Sequence, residues 1–139
     1  MTLDLLRDRI TSVCAGDPFG FTQADVPWTF DGMPTGTIDG GFRVTSDVGP
    51  IRGWTNFSEE RTDPITIWLA RKQTARPEDC YRKLVTDASS LRAAVIRDGV
   101  GGGDFDVPDG PVSGTIQAPK GAEYAVLRLT LPINYETSV

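Results

Sequence analysis

Apolar residues at helical spacing mark two segments of the chain. In the first they recur every three or four positions, at Leu3, Leu6, Ile10, Val13 and Cys14, and Gly16 follows as a helix terminator. In the second they step by four, four, three and four residues, through Cys80, Leu84, Ala88, Leu91 and Val95. The pattern predicts two amphipathic helices. The second covers residues 77–98 and ends at Asp98-Gly99, before a flexible turn at Gly101-Gly102-Gly103.

Alternation of apolar and polar residues predicts three clear strands. It runs through residues 42–48, 65–69 and 125–133. The large Trp68 lies opposite the aliphatic residues of the second stretch, so both faces of that strand could be covered.

Weaker apolar groups lie between these strands. Ile51, Trp54 and Phe57 form one group, which residues 58–63 follow as a predicted polar turn. After the second helix, Phe105 and Val107 lead into a Pro108-Asp109-Gly110 turn. The apolar residues beyond that turn indicate a further strand, at Val112, Ile116 and Ala118.

The segment of residues 17–41 shows neither the helical spacing nor the alternation of a strand. It is rich in Gly, Pro, Asp and Thr, and four aromatic residues interrupt it: Phe19, Phe21, Trp28 and Phe30. A solvated loop needs no such aromatics. The segment could fold irregularly on the core, contain one short strand at residues 28–30, or become ordered against a partner.

The order of predicted elements is helix, long loop, strands, helix, strands. This order predicts an α+β fold, in which a mostly antiparallel sheet carries the two amphipathic helices on one face. With 139 residues, the chain is the size of one domain, and we expect residues 1–139 to form it with the long loop at residues 17–41.

The composition excludes several kinds of catalytic, metal and nucleic-acid-binding site. The chain contains no histidine, 14 Lys plus Arg and 19 Asp plus Glu, for a net charge of −5. The missing histidine removes His-based catalytic arrangements and metal sites, and the acidic balance argues against a nucleic-acid-binding surface. Cys14 and Cys80 are expected to be small buried residues in a reducing compartment. The charged, periodic start differs from a signal peptide, and no apolar run is long enough to span a membrane.

No motif indicates a catalytic, cofactor or metal site. The glycine run lacks the Lys-Ser/Thr of a phosphate loop and follows a helix instead of opening one. Asp104, Asp106 and Asp109 are spaced incorrectly for a calcium loop, whose twelfth position would be Thr115. The acids Glu59, Glu60 and Asp63 fall in the predicted polar turn, where no apolar pocket surrounds them. We therefore expect the protein not to be an enzyme.

The last strand and the order of elements carry a resemblance to a known family. The chain closes on a long alternating stretch at residues 123–136, which ends in Tyr135-Glu136. In its opening helix, sheet, second helix and return to the sheet, the chain resembles the tail terminator and neck (head–tail joining) proteins of long-tailed bacteriophages over its whole length. The loop at residues 17–41 departs from that pattern in detail.

The resemblance implies a structural virion protein made in the host cytoplasm and located in the tail or neck. Such proteins form a ring, commonly a hexamer, that caps the tail tube and joins it to the head connector. The implied partners are further copies of the chain, the tail tube protein and the connector or neck proteins. DNA would only pass through the lumen, where acidic walls would avoid strong phosphate contacts.

Aromatic residues are the candidates for the subunit or partner interface, because Trp, Tyr and Phe are enriched there. We select Trp28, Phe30, Trp54 and Phe57, each of which could equally pack in the core of its own subunit. Two other functions stay open. One is another head–tail or tail-tube virion protein, and the other is a small carbohydrate- or ligand-binding module that stacks its ligand on the same aromatics.

Overall fold

The computed structural model describes residues 1–23, 38–49, 51–54, 57–74, 76–108, 113–117 and 122–138. This part of the chain forms two helices and one sheet of seven strands. The helices are α1 (Leu3–Ala15) and α2 (Pro77–Gly102). The strands are β1 (Thr22–Gln23), β2 (Gly41–Ser46), β3 (Ile51–Trp54), β4 (Ser58–Lys72), β5 (Phe105–Asp106), β6 (Ser113–Gln117) and β7 (Tyr124–Ser138). The predicted α+β fold is confirmed.

Two long central strands organise the sheet. β4 and β7 pair antiparallel over all 15 residues, from Ser58↔Ser138 to Lys72↔Tyr124. β2 and β3 pair with successive parts of the free side of β4, and β6 and β5 do the same on β7. The pairs are antiparallel except β1 with β2, which is parallel.

A pair of prolines lies where the outer partner of β4 changes from β3 to β2 and that of β7 changes from β6 to β5. Pro64 of β4 and Pro132 of β7 are partners in register, although proline has no N–H to donate. The carbonyl of Pro64 accepts a bond from the Asp47 N–H at 3.2 Å, on the side away from β7. Since the N–H and C=O of one strand residue point to the same side, the missing donor costs the β4–β7 ladder no bond.

Both helices pack on the face of the sheet formed by odd-numbered residues of β4 and β7. Thr2 begins α1 by accepting a hydrogen bond from the Leu5 N–H at 3.2 Å. The sheet contributes the buried side chains Phe42, Val44, Ile65, Ile67, Leu69, Leu127, Leu129, Leu131 and Ile133. The helices contribute Leu6, Ile10, Cys14, Cys80, Leu84, Leu91 and Val95. The helical periods seen in the sequence therefore mark the core faces of α1 and α2.

The two helices run in opposite directions along the sheet. The Cys80 thiol, in the first turn of α2, bonds the Arg71 carbonyl near the last residue of β4. The far end of α2 meets Phe105, which pairs with Tyr135 of β7. We call the end of the sheet at Lys72 the proximal end and the end at Ser58 the distal end. α1 starts near the distal end, because Arg9 bonds Asp98 and Asp104 there.

The predicted polar turn at residues 58–63 is wrong. These residues are the first part of β4, where they pair with β7 on one side and with β3 on the other. Their polar side chains find partners across the sheet: Thr62 bonds Asn134 at 2.5 Å, and Asp63 is buried. Strand pairing over a long sequence separation explains the outcome, and the local polarity of the segment does not reveal it.

The predicted end of the second helix at Asp98-Gly99 is also wrong. α2 continues to Gly102, and Gly103 ends it in the left-handed conformation at φ 69°. Gly99 is inside the helix, at a close approach to Phe105. A Cβ at Gly99 would lie 2.6 Å from the Phe105 carbonyl oxygen. Glycine is needed there for space, so it does not mark the helix end.

The structure confirms the remaining predictions only in part. The strand predicted at residues 42–48 ends at Ser46. Trp68 is half-buried on the face away from the helices, where its Nε1 donates to the Thr45 hydroxyl at 3.1 Å. Cys14 and Cys80 are buried free cysteines, as expected, and burial raises the pKa of the Cys14 thiol to about 12. Of the long loop, residues 24–37 lie outside the described part.

Candidate interaction surface

The four aromatic residues selected from the sequence differ in what the structure describes. Trp28, Phe30 and the side chain of Trp54 lie outside the described residues. The backbone of Trp54 is part of β3, opposite Glu59. Phe57 precedes β4 at the distal end, and 81% of it is exposed. Packing in the core of its own subunit is therefore excluded for Phe57.

Two further apolar residues lie along the same edge of β4. Ile51 of β3 pairs with Arg61 and is 50% exposed, and Val48 precedes it with 75% exposure. We call Val48, Ile51 and Phe57 the distal group. The sequence does not reveal that Val48 is exposed, because Val48 continues the apolar alternation of β2. The Gly49-Pro50 pair directly after it was the signal that the strand ends there.

A buried carboxylate fixes the backbone that carries the distal group. Asp63 is 0% exposed and accepts hydrogen bonds from the Tyr135 hydroxyl, from the Gly49 N–H at 2.5 Å and from Arg61 Nε at 3.3 Å. Arg61 also donates to the Gly49 carbonyl at 3.5 Å. The segment that leads from β2 to β3 is thus tied to β4 and β7 beside Val48.

The charges of this cluster stabilise one another. Burial alone would raise the pKa of the Asp63 carboxyl, but the hydrogen bonds from Tyr135, Gly49 and Arg61 outweigh it and lower that pKa. Burial and the bond to Asp63 raise the pKa of Tyr135 to about 12. The bond to Asp63 also raises the pKa of Arg61. Tyr135 is 4% exposed, and the hydrogen bonds of the cluster link β4, β7 and the segment that leads from β2 to β3.

Exposed carboxylates surround the distal end. Glu60, Asp104, Asp106 and Glu136 line an open cleft of about 380 Å³ beside Tyr135. Glu60 and Glu136 are directly opposite each other on neighbouring strands, where like charges are destabilising. Within the described residues, no group of three or more His, Cys, Asp or Glu side chains is placed to hold a metal ion. The acids therefore give the distal end a negative rim.

A second open cleft, of about 490 Å³, lies between α1 and the end of α2. Arg9 crosses it, with Nη2 3.0 Å from Asp98 and a second bond to Asp104. The Arg9 guanidinium also lies over the Phe105 ring, at 5.2 Å. These contacts join α1 to the segment after α2, which is a structural role.

The proximal end carries three further exposed apolar residues among those that the structure describes. Tyr81 and Val85 are one turn apart on α2 and are 48% and 43% exposed. Ile38 is 46% exposed and lies beside the end of β4, because the next residue, Asp39, accepts a bond from the Lys72 N–H at 2.9 Å. We call Ile38, Tyr81 and Val85 the proximal group.

Basic residues of β4 and α2 lie around the proximal group. Arg71 is held by Asp87 through bonds of 2.9 and 3.1 Å and stacks over the Phe21 ring at 4.8 Å. Arg82 pairs with Glu78 one turn away. Lys72, Arg76 and Lys83 are exposed, and the described ion pairs include none of them.

The comparisons with known proteins identify no family for this chain. No protein-family model matches the chain, and no curated protein matches it. Across the described residues, no helix is both long and apolar enough to cross a membrane.

Proposed function

We propose that this protein is a structural, non-enzymatic component of a bacteriophage tail: a terminator that forms a ring, caps the tail tube and joins it to the head connector. The observation that carries the proposal is the exposure of large apolar side chains at both ends of a well-packed domain, with Phe57 at 81%. Exposed apolar groups of this size mark contacts with other proteins. The order of elements in the α+β fold agrees with the resemblance seen in the sequence.

The charge of the chain suits a wall around a DNA path. The net charge is −5, and the rim at the distal end exposes several carboxylates. Like-signed walls avoid the phosphate contacts that give DNA-binding proteins their affinity. In this proposal DNA is cargo in the lumen, and the tail tube and connector proteins bind the outer surfaces of the ring.

One observation favours a second function. The ring of Phe57 is exposed in the way that a sugar-stacking residue of a small carbohydrate-binding module is. Such a module would act as a monomer and would bind its ligand at the distal end.

Light scattering coupled to size-exclusion chromatography separates the two functions. The chain is run from about 10 μM to several hundred μM, and each pool is titrated with neutral oligosaccharides in a calorimeter. The proposal predicts an oligomer of one stoichiometry at high concentration and no heat of sugar binding. A monomer at every concentration that binds an oligosaccharide would overturn it.

A further inference from the structure

The outer strands of the sheet differ in how their free edges are protected. Natural sheets protect an edge by keeping the strand short, by placing a charge or a bulge on it, or by covering it. β1 and β5 have two residues each, and β3 contains a register shift. β2 carries Arg43, and β1 pairs with its outer side at Gly41 and Phe42. Among the described residues, β6 has none of these protections.

β6 is a longer edge strand, and it is uncharged. Its five residues, Ser113–Gln117, include no Asp, Glu, Lys, Arg or Pro. Gly114 and Gln117 are exposed, whereas Thr115 and Ile116 are half-buried. Within the described part of the chain, β7 is the one strand that pairs with β6. As far as the described residues show, the other side of β6 is therefore open to a further strand.

The backbone groups on the open side of β6 follow from the pairing of the sheet. The Pro64 carbonyl points from β4 to the side of β2, so the odd-numbered residues of β4 bond β7. Their partners in β7 are also odd-numbered, which leaves even-numbered residues such as Arg128 to bond β6. Arg128 pairs with Thr115. The N–H and C=O groups of Gly114 and Ile116 consequently point outward, and no described residue bonds them.

These outward groups match those of a second β6 that is related to the first by a two-fold axis. Two copies of β6 then lie side by side and antiparallel, and the register that pairs all five residues is centred on Thr115. In this register Gly114 of each copy lies opposite Ile116 of the other, and each such pair exchanges two N–H···O=C bonds. The two Thr115 side chains meet at the axis, where a cross-strand threonine pair is favourable.

The charge nearest to β6 in the sheet does not oppose this pairing. In the stretch of β7 that pairs with β6, Arg128 is the charged residue, and its guanidinium lies over the Trp68 ring at 5.9 Å. The two Arg128 residues of a dimer would be three strand spacings apart, about 14 Å. This separation exceeds the Debye length of about 8 Å at physiological ionic strength, so salt screens most of their repulsion.

We propose that a second copy of this chain covers the open edge: β6 of one copy pairs antiparallel with β6 of the other about a two-fold axis at Thr115, and the two sheets become one. The contact is isologous, so it closes with two copies. It does not rest on the proposed ring, because it uses neither the distal group nor a contact that repeats from copy to copy.

The first experiment compares two variants at Gly114. Gly114→Pro removes the outward N–H, which the β6–β7 ladder does not use, and Gly114→Ala keeps it as the matched control. A Cβ here would lie 3.9 Å from Leu129 Cδ1, an ordinary contact, so both variants are expected to fold, which circular dichroism and thermal unfolding check. Sedimentation velocity from about 10 μM to several hundred μM should show a dimer for the wild type and Gly114→Ala, and at least about tenfold weaker association for Gly114→Pro.

The second experiment tests the two-fold axis. Thr115→Lys and Thr115→Glu each place two like charges directly opposite each other, so each variant alone should dimerise at least about tenfold more weakly than the wild type. An equimolar mixture should form the heterodimer, because a lysine then meets a glutamate. Native mass spectrometry separates the heterodimer from both homodimers. A contact between two different surfaces would set position 115 against another residue, and mixing would rescue nothing.

Amide hydrogen exchange gives a readout for single residues. The Thr115 N–H points to β7, so it should be protected in a single copy and in the dimer alike. The N–H groups of Gly114 and Ile116 point outward, so they should exchange freely in a single copy and become protected as the dimer forms. Exchange followed by NMR at low and at high protein concentration measures all three groups. Equal exchange of Gly114 and Ile116 at concentrations where the chain is dimeric would contradict the pairing.

Three further outcomes would overturn the proposal: a wild type that is monomeric at every concentration, a Gly114→Pro variant that associates like Gly114→Ala, or a mixture of the two Thr115 variants without a heterodimer. The proposed function is judged separately. Rings that are insensitive to Gly114→Pro would support that function and overturn this inference. Dimers that depend on β6 and form no ring would support this inference and contradict the ring.

Discussion

Asp63 places a carboxylate among apolar side chains, which is costly unless the charge is paired and hydrogen-bonded. Its partners come from three places in the chain: Gly49 before β3, Arg61 two residues away in β4, and Tyr135 in β7. The cluster therefore ties together the strands that hold the distal group. Its loss should affect both stability and the position of that surface.

Replacing Tyr135 with Phe tests this tie. The Tyr135→Phe change removes one donor to the buried Asp63 carboxylate, and we expect it to lower the free energy of unfolding by about 1–3 kcal/mol. Urea unfolding followed by tryptophan fluorescence measures the loss. Tyr124→Phe, a half-buried tyrosine elsewhere in β7, is the matched control. Equal stability of the two variants would show that the hydroxyl of Tyr135 contributes nothing.

The pH dependence of stability follows from the same bond. The pKa of Tyr135 is raised from 10.0 to about 12 in the folded chain, so the folded state keeps a proton that the unfolded state loses. This stabilisation is complete below pH 10 and is lost as the pH rises towards 12, with a cost on the order of 1–3 kcal/mol. The advantage of the wild type over Tyr135→Phe should shrink across that window. An unchanged difference would contradict the assignment.

The Asp63 carboxyl group affects the stability of the fold at acid pH. Its pKa is lowered from 3.8, so its ionised form contributes stability that is present above pH 3.8 and is lost as the pH falls below it. In Tyr135→Phe the carboxylate has one donor fewer, and acid unfolding should begin at a higher pH. Urea midpoints measured between pH 2 and 5 check this direction.

At the scale of elements, two of the three glycines in α2 have opposite roles. Gly99 faces Phe105, where an added Cβ would lie 2.6 Å from a backbone oxygen, whereas Gly101 has nothing within 4 Å of that position. Gly101→Ala should stabilise the chain by up to about 1 kcal/mol through helix propensity. Gly99→Ala should destabilise it despite the same gain, because the backbone must move. Thermal unfolding of both variants tests this, and two stabilising changes would contradict the close approach.

The elements that the sequence predicts well are those with a regular apolar period. Leu6, Ile10, Leu84 and Leu91 repeat at helical spacing because α1 and α2 each bury one face. The first part of β4 could not be recognised in this way. Its polar residues are satisfied by β7, about 70 positions further along, as in the Thr62–Asn134 bond, and local patterns carry no information about such partners.

At the scale of the whole molecule, the aromatic residues selected from the sequence cover only part of the exposed apolar surface. Phe57 was selected as an aromatic candidate, and the structure exposes it. Val48 and Ile51 belong to strand-like patterns, and their exposure depends on how β2 gives way to β3 along β4. Tyr81 and Val85 lie on a helix face that the core period leaves out. Which ends of the molecule these residues occupy is set by the pairing of β4 with β7, which no local pattern shows.

We propose that copies of this chain assemble into a closed ring around a path for DNA. Negative-stain electron microscopy of the purified chain, at concentrations up to several hundred μM, tests it most directly. We expect rings of one size with a central opening wide enough for duplex DNA, and we expect Phe57→Ser with Val48→Ser to abolish them. Particles that remain single copies at every concentration, or that grow only as open filaments, would contradict it.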